Sequence, residues 1–245
     1  MTLTDANLQL EKNGFSILEN IYTEEETDKI ISIIENTNTD ADTFRKSSNL
    51  FAIRQFLKEI PESLPYIMNN NLKTIVTELF GDNYFAIKSI YFDKPGESNW
   101  FVAYHQDLTI SVDRKQGTIG FGPWTIKQNQ FAVQPPLEIL ENIFTIRIHL
   151  DETNENNGAL KVVPGSHNKQ IYRPETIDWS TETEVNCNVT QGGIMIMKPL
   201  LLHSSGRTIN NARRRVIHIE FSNKSLPNNL QWAEYLSVLN AGNHA

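Results

Sequence analysis

The chain of 245 residues has one cysteine, Cys187. With no second thiol an intramolecular disulfide is excluded, and so are thiolate clusters for zinc or iron–sulfur. A chain of this length buries enough surface to fold without such staples. It also lacks any apolar run approaching the roughly 20 residues of a membrane-spanning helix. Met1 to Glu11 is polar, without the apolar centre of a secretory leader, so the expected location is cytoplasmic. Positive charge is in deficit too: 22 Lys and Arg stand against 29 Asp and Glu, a formal net charge of −7. Nucleic-acid binding needs a basic face to neutralise phosphates, so that class is disfavoured. The one basic run, Arg213-Arg214-Arg215, leads directly into an apolar strand and otherwise suits a solvated loop end.

What is present is organised in two styles. Residues 1–83 read as a mostly helical N-terminal part with one strand, Phe15–Leu18, behind Gly14. Thr23-Glu24-Glu25-Glu26 has the capping-box form and opens a helix carrying Ile30, Ile31, Ile33 and Ile34, which the polar stretch Asn36–Asp42 stops. Leu64, Ile67, Met68, Leu72, Ile75, Val76, Leu79 and Phe80 recur at helical spacing and predict one helix ending at Gly81. From residue 84 to 222 the pattern is β. Tyr84–Phe92, Ile139–Leu150, Leu160–Val163, Ile194–Met197 and Val216–Phe221 are separated by Pro- and Gly-rich turns. Residues 223–245 read as a tail or helix. The expectation is a single domain over 1–245, mainly β: an antiparallel sandwich or barrel braced by helices.

Six histidines offer metal ligands: His105, His149, His167, His203, His218 and His244. Two of them sit in His-x-Asp triplets, His105-Gln106-Asp107 and His149-Leu150-Asp151. In a strand, residues i and i+2 share a face, so such a triplet delivers an imidazole and a carboxylate together. With a distant histidine it makes the facial triad that holds Fe(II) and leaves three positions for co-substrate and O₂. His203 supplies the third ligand: it ends an apolar strand and is followed by small polar residues. Arg214, eleven residues on, suits bidentate pairing with the distal carboxylate of 2-oxoglutarate, and Ser205 suits a hydrogen bond to the same group. Between the triplets, His105 leads because Trp100, Phe101 and Tyr104 precede it as aromatic walls. His149-Leu150-Asp151 runs into a polar turn instead.

These residues resemble the phytanoyl-CoA dioxygenase family of Fe(II)/2-oxoglutarate oxygenases over nearly the whole chain. The resemblance rests on Asn13-Gly14-Phe15, Phe92-Asp93-Lys94-Pro95, Asn99-Trp100, Tyr104-His105-Gln106-Asp107-Leu108, His149-Leu150-Asp151, Gly158-Ala159-Leu160, Pro164-Gly165-Ser166-His167 and Leu202-His203-Ser204-Ser205 with Arg214. It implies a double-stranded β-helix (a cupin-like jelly roll). It implies iron ligands at His105, Asp107 and His203, and 2-oxoglutarate contacts at Arg214, Ser205 and, upstream, Lys88. It also settles the choice of triplet for His105. The implied reaction uses Fe(II), 2-oxoglutarate and O₂ to hydroxylate or otherwise oxidise a small molecule, with decarboxylation to succinate. Asp107 stands where halogenases of the superfamily carry a small residue, which argues against halogenation.

Substrate contacts are expected from Trp100, Tyr104, Phe121, Trp124 and Arg147. Asp113–Gln130 reads as a lid over the site. Nothing identifies a CoA handle, and the acidic charge gives no general attraction to a polyanionic thioester, so a free small metabolite is favoured. Two alternatives from other classes are a non-catalytic jelly-roll binding protein and a cupin-like metal enzyme that does not use 2-oxoglutarate. The first predicts a broken triad or a missing arginine; the second predicts indifference to loss of Arg214.

Overall fold

A computed structural model describes residues 1–38, 43–46, 51–98, 100–127 and 130–237. Parts of three sequence features therefore lie outside the described residues: residues 39–42 of the polar stretch, Asn99 of its motif, and residues 128–129 of the lid segment. His244 lies outside them as well.

The N-terminal part opens with α1 (Leu3–Asn13), a helix that composition alone concealed because it is polar on most sides. Thr2 and Asp5 form its capping box, and Gly14 ends it in the left-handed region at φ 82°. A side chain at Gly14 would also collide with the His167 ring, only 2.5 Å from the position of a Cβ. After β1 (Phe15–Leu18) comes α2 (Glu24–Glu35), opened by Thr23 and Glu26 as the capping pattern predicts. The single helix expected over residues 64–80 is two: α4 (Leu64–Ile67) and α5 (Asn70–Phe80). The Asn69 side chain accepts from Leu72 N–H and restarts the helix, so a local cap overrides continuous apolar periodicity. Between α2 and α4 lie β2 (Phe44–Lys46), β3 (Phe51–Arg54) and the one-turn α3 (Phe56–Glu59), so this part holds more strand than its sequence advertises.

The β region forms two facing antiparallel sheets, the jelly roll that the patterning and the resemblance implied. The major sheet runs β1, β12 (Ile194–Met197), β9 (Ile143–His149), β14 (Arg214–Ser222), β4 (Phe85–Lys94), β3, β2. The minor sheet runs β11 (Val185–Cys187), β10 (Leu160–Val162), β13 (His203–Ser205), β5 (Val102–His105). A smaller sheet joins β6 (Ile110–Val112), β8 (Gln130–Val133) and β7 (Trp124–Lys127). The stretch read as strand from Ile139 begins instead as a short helix, α6 (Leu137–Glu141), entered through Pro136 as N-cap. The described end of the chain is extended, with β15 (Leu236–Ser237) on β4. No described helix is long and apolar enough to cross a membrane.

Alternation along the major sheet sorts its residues into two unlike faces. Outward point Phe144, Ile146, Ile148, Ile217, Ile219 and Phe221, which pack on Ile30, Ile34, Leu72, Ile75 and Val76 of the helices. Phe144 is clasped between the rings of Phe80 and Phe221. Each such aromatic contributes a few kcal/mol; emptying one fully buried phenylalanine costs roughly 3–5 kcal/mol. Inward, where a sandwich ordinarily buries aliphatics, point Lys88 and Lys94, Arg147 and His149, and Arg214, His218 and Glu220. Burying that many charges is costly without partners, so the inner face must answer to something other than stability.

Candidate metal centre

Strand pairing assembles the site. His105 ends β5 and His203 begins β13, and the two are Cα partners across the ladder, with ring centroids 4.2 Å apart. Asp107 follows just past the end of β5, held there by its own N–H donating to Pro199 O at 2.9 Å. Asp107 Oδ1 lies 3.8 Å from His105 Nε2, and Oδ2 lies 3.8 Å from His203 Nε2. One ligand atom from each residue falls within 4.8 Å of the other two.

The second nitrogens fix the tautomers. His105 Nδ1 meets Ala103 O at 2.9 Å and His203 Nδ1 meets Leu201 O at 2.9 Å. A carbonyl only accepts, so each Nδ1 carries the proton and each Nε2 presents a lone pair toward Asp107. Burial pushes the His203 imidazole down to about 4, despite the opposing pull of Asp107, which keeps it in the neutral, metal-binding form. Burial disfavours the Asp107 carboxylate, but the surrounding His203, His218, Lys88 and His105 outweigh it and hold the group well below the usual carboxylate range. Asp107 Oδ2 is buried yet has no hydrogen-bond partner. Two imidazoles with Nδ1 tied to carbonyls, facing an orphaned carboxylate oxygen, are a donor set that fits a divalent cation of the 2-His-1-carboxylate type.

Gln106, the central residue of the triplet, turns the other way. Its amide N–H₂ donates to Leu200 O and Gln170 O, while its oxygen accepts from Tyr172 N–H at 2.9 Å. It thus ties three chain segments behind the ligands. Sequence reasoning passed over it.

The cavity next to the triad measures about 130 Å³ and gathers Lys88, Arg147, Ser205, Arg214 and His218 beside the three ligands. Arg214 Nη1 donates to Gly158 O, as does Ser205 Oγ at 3.0 Å, leaving Arg214 Nε buried without an acceptor. Gly158 has φ 83°, and a Cβ there would fall 2.8 Å from both Gly206 O and Lys94 Nζ, so glycine is required for this close packing. Burial lowers Arg214 to about 9 and Arg147 to about 10, both still cationic near neutrality. Buried Lys94, bonded to Gly206 O, is pushed down to about 7 by burial and then by Arg214. Among the described residues none of these three cations makes an ion pair, so together they suit an anionic ligand such as a carboxylate.

Lys88 lines the cavity, but its ammonium is engaged with Glu220 Oε1 at 2.6 Å. Glu220 also accepts from His218 Nε2, whose Nδ1 in turn accepts from Arg147 Nη1 at 3.2 Å. Asp107, His218 and Glu220 are also close enough to share an ion, but both nitrogens of His218 and one oxygen of Glu220 are already committed.

The rival triplet separates. His149 faces inward, with Nδ1 donating to the Thr153 hydroxyl at 2.8 Å, and burial holds its imidazole well below the ordinary range. Asp151 lies beyond the strand end and pairs with Arg215 at 2.7 Å. The basic run divides by the same alternation: Arg213 binds Asp93 and Glu35, Arg215 binds Asp151 and Glu35, and Arg214 points into the cavity.

Of the aromatics expected around the substrate, none lines this cavity. Tyr104 neighbours His105 and so faces the opposite side of its strand, bonded to Glu184 and packed on Trp179. Trp100 is half-buried just before β5. Phe121 and Trp124 pack on a second apolar cluster with Ile110, Val112 and Val133. The lid segment is accordingly in part a strand, β7, seated on that cluster. Arg147 does reach the cavity.

A family model described as phytanoyl-CoA dioxygenase matches residues 10–216. No curated protein matches the chain significantly. Among solved structures, EctD from S. alaskensis, with 2-oxoglutarate and 5-hydroxyectoine, is 18% identical over 91% of this chain and 76% of its own, with a TM-score of 0.69. AviO1 from Streptomyces viridochromogenes is 18% identical over 93% of this chain and 98% of its own, TM-score 0.64. HygX from Streptomyces hygroscopicus, with nickel and 2-oxoglutarate bound, is 13% identical over 91% and 87%, TM-score 0.64. At these identities the structures establish the shared fold.

Proposed function

The chain belongs to the phytanoyl-CoA dioxygenase family and is a non-haem Fe(II)/2-oxoglutarate-dependent oxygenase; from that premise we propose that His105, Asp107 and His203 hold the iron, and that Arg214 and Ser205 hold the distal carboxylate of 2-oxoglutarate. The bound metal and co-substrate supply O₂ activation, coupled to decarboxylation of 2-oxoglutarate to succinate. The residues of the chain do the rest. The two imidazoles, locked by carbonyls at Nδ1, aim their lone pairs at one point. Asp107 contributes the negative charge there, and its orphaned Oδ2 is the observation that carries the reading. Arg214 offers its unpartnered Nε toward the carboxylate, and Ser205 joins it by turning its single hydroxyl proton from Gly158 O. Arg147 and Lys94 add cationic potential without donating to the same oxygens. The His218–Glu220–Lys88 chain holds Arg147 in place and fixes the cavity's far wall. The substrate is a small molecule, oxidised at the carbon brought nearest the triad.

The test is succinate formation from 2-oxoglutarate in air with Fe(II) and ascorbate. The proposal expects iron-dependent succinate that is lost in His203→Ala and Asp107→Ala. Undiminished succinate in both variants contradicts it.

A further inference from the structure

A second cavity, about 210 Å³, abuts the metal cavity, and Lys88 and Ile90 line both. Three separately built walls enclose it: the junction of β3 and α3 at Arg54 and Gln55, the small sheet, and the C-terminal segment at Ala233 and Glu234. The small sheet is two-faced. Ile110, Val112 and Val133 pack into an apolar cluster, while Thr109, Ser111, Thr125, Gln130 and Ala132 turn to the cavity. Register puts Ala132 directly opposite both Ser111 and Thr125, so two hydroxyls flank one small side chain in a row across the sheet.

A polar sheet face usually meets bulk water. This one also looks across the cavity at a second polar wall, with Thr125 still open to solvent. Gln55 sits in the left-handed region at φ 51° although it has a Cβ, a conformation that costs energy and clusters at functional sites. Gln130 Nε2 is buried there without an acceptor. Glu234, held by the N–H and hydroxyl of Ser89, fixes a carboxylate at the cavity. Burial pushes it up to about 7. The cavity's aliphatic lining is Ile90, Ala132 and Ala233, and no aromatic ring contributes.

We infer that this cavity receives the non-reacting part of the substrate, and that the substrate is a small polyhydroxylated compound, sugar- or cyclitol-like, rather than an acyl chain or acyl thioester. The inference rests on the iron and 2-oxoglutarate reading above. Hydroxyls, carboxamides, a carboxylate and the cationic Arg54 and Lys88 offer donors and acceptors to the hydroxyls of a ring from several sides. An alkyl chain in the same space would strip water from Ser111, Thr125 and Gln130 and return nothing. The volume is below the ~300–1,000 Å³ of drug-sized ligand pockets, which suits one ring and excludes a nucleotide handle. A ring seated here lies against Ile90 and Lys88, and its near edge reaches across them toward the triad.

The experiment loads the full chain anaerobically with Fe(II) and 2-oxoglutarate, then adds glucose, glucosamine, myo-inositol, octanoate or octanoyl-CoA, each in its own titration. Calorimetry reads binding, and the visible chelate band reads the metal site separately. The inference expects at least one of the three polyols to bind and neither acyl probe to do so. It expects Ser111→Ala combined with Thr125→Val to weaken that polyol about tenfold, as the loss of two ordinary hydrogen bonds gives. Should the double variant fail to fold, Thr125→Val alone, at an exposed strand position, is expected to weaken it about threefold. Binding of an acyl probe but no polyol, no binding at all, or unweakened polyol binding in the folded variant overturns the inference. A missing chelate band alongside polyol binding would instead sink the iron and 2-oxoglutarate reading and leave the pocket assignment standing.

Discussion

His105 and His203 face each other as Cα partners on neighbouring antiparallel strands, and each donates its Nδ1 proton to the carbonyl two residues before it. The same local bond, repeated from opposite directions, converges two Nε2 lone pairs on one carboxylate. The site is thus a product of the minor sheet's register, and a one-residue slip of either strand would turn a ligand out of it.

Gln106 holds that register from behind. Gln106→Ala removes bonds to Leu200, Gln170 and Tyr172 at once, leaving the buried Leu200 carbonyl unpaired. The expected result is a folded protein whose metal affinity falls about 10–100-fold, the usual effect of losing the groups that orient ligands. Titration with Co(II), compared with wild type, measures it.

Arg214 and Arg147 both face the cavity, but only Arg214 stands with Ser205 at Gly158. Arg214→Ala is expected to raise the 2-oxoglutarate concentration for half-saturation about 30-fold or more, as truncation at a buried charge pair costs roughly 2–5 kcal/mol. Arg147→Met is expected to cost less than tenfold, because His218 receives its donor. Steady-state succinate formation against 2-oxoglutarate concentration separates the two. Equal losses would make Arg147 a direct anchor.

Lys94 gives the apoprotein a pH signature. Its folded value, about 7, lies below the unfolded value of about 10.4. Between these the unfolded chain binds more protons, so this residue's contribution to stability rises with pH through that window. Its penalty is complete below about pH 7. Lys94→Met is therefore expected to raise the melting temperature most at pH 6, with the gain shrinking steadily toward pH 10. A gain independent of pH would mean that the Lys94 ammonium binds its proton alike in the folded and unfolded chain, which contradicts a folded value lowered by burial.

Much of this was legible beforehand, and the remainder was hidden for definable reasons. The His-x-Asp triplet, the distal histidine and an arginine eleven residues on are local signals that suggest a site, and the resemblance chooses between the two triplets. The capping box of α2 was readable for the same reason. The inner face was equally available in principle: Lys88 and Lys94 share a strand face with Ile90 and Phe92, and His218 and Glu220 interrupt an otherwise apolar strand at period two. One strand alone does not show such a face, because nothing in it reveals that its neighbours carry charges at the paired positions. Adjacency suggests Tyr104 as a wall of the site, but a residue next to His105 in a strand faces the other side, here toward Glu184 and Trp179. Phe121 and Trp124 suggest a lid because they follow a metal motif, and in the fold they pack on the cluster of Ile110, Val112 and Val133, a long-range contact that local sequence does not reveal. The break at Asn69 was invisible to periodicity, which counts apolar residues and ignores a cap in their midst.

The most direct measurement is an anaerobic titration of apoprotein with Fe(II) and then 2-oxoglutarate, following the visible metal-to-ligand charge-transfer band in wild type, His105→Ala and His149→Ala. The His105–Asp107–His203 assignment predicts a band in wild type and in His149→Ala and none in His105→Ala. A band that survives in His105→Ala and vanishes in His149→Ala would contradict it, as would the absence of any band in folded wild-type protein.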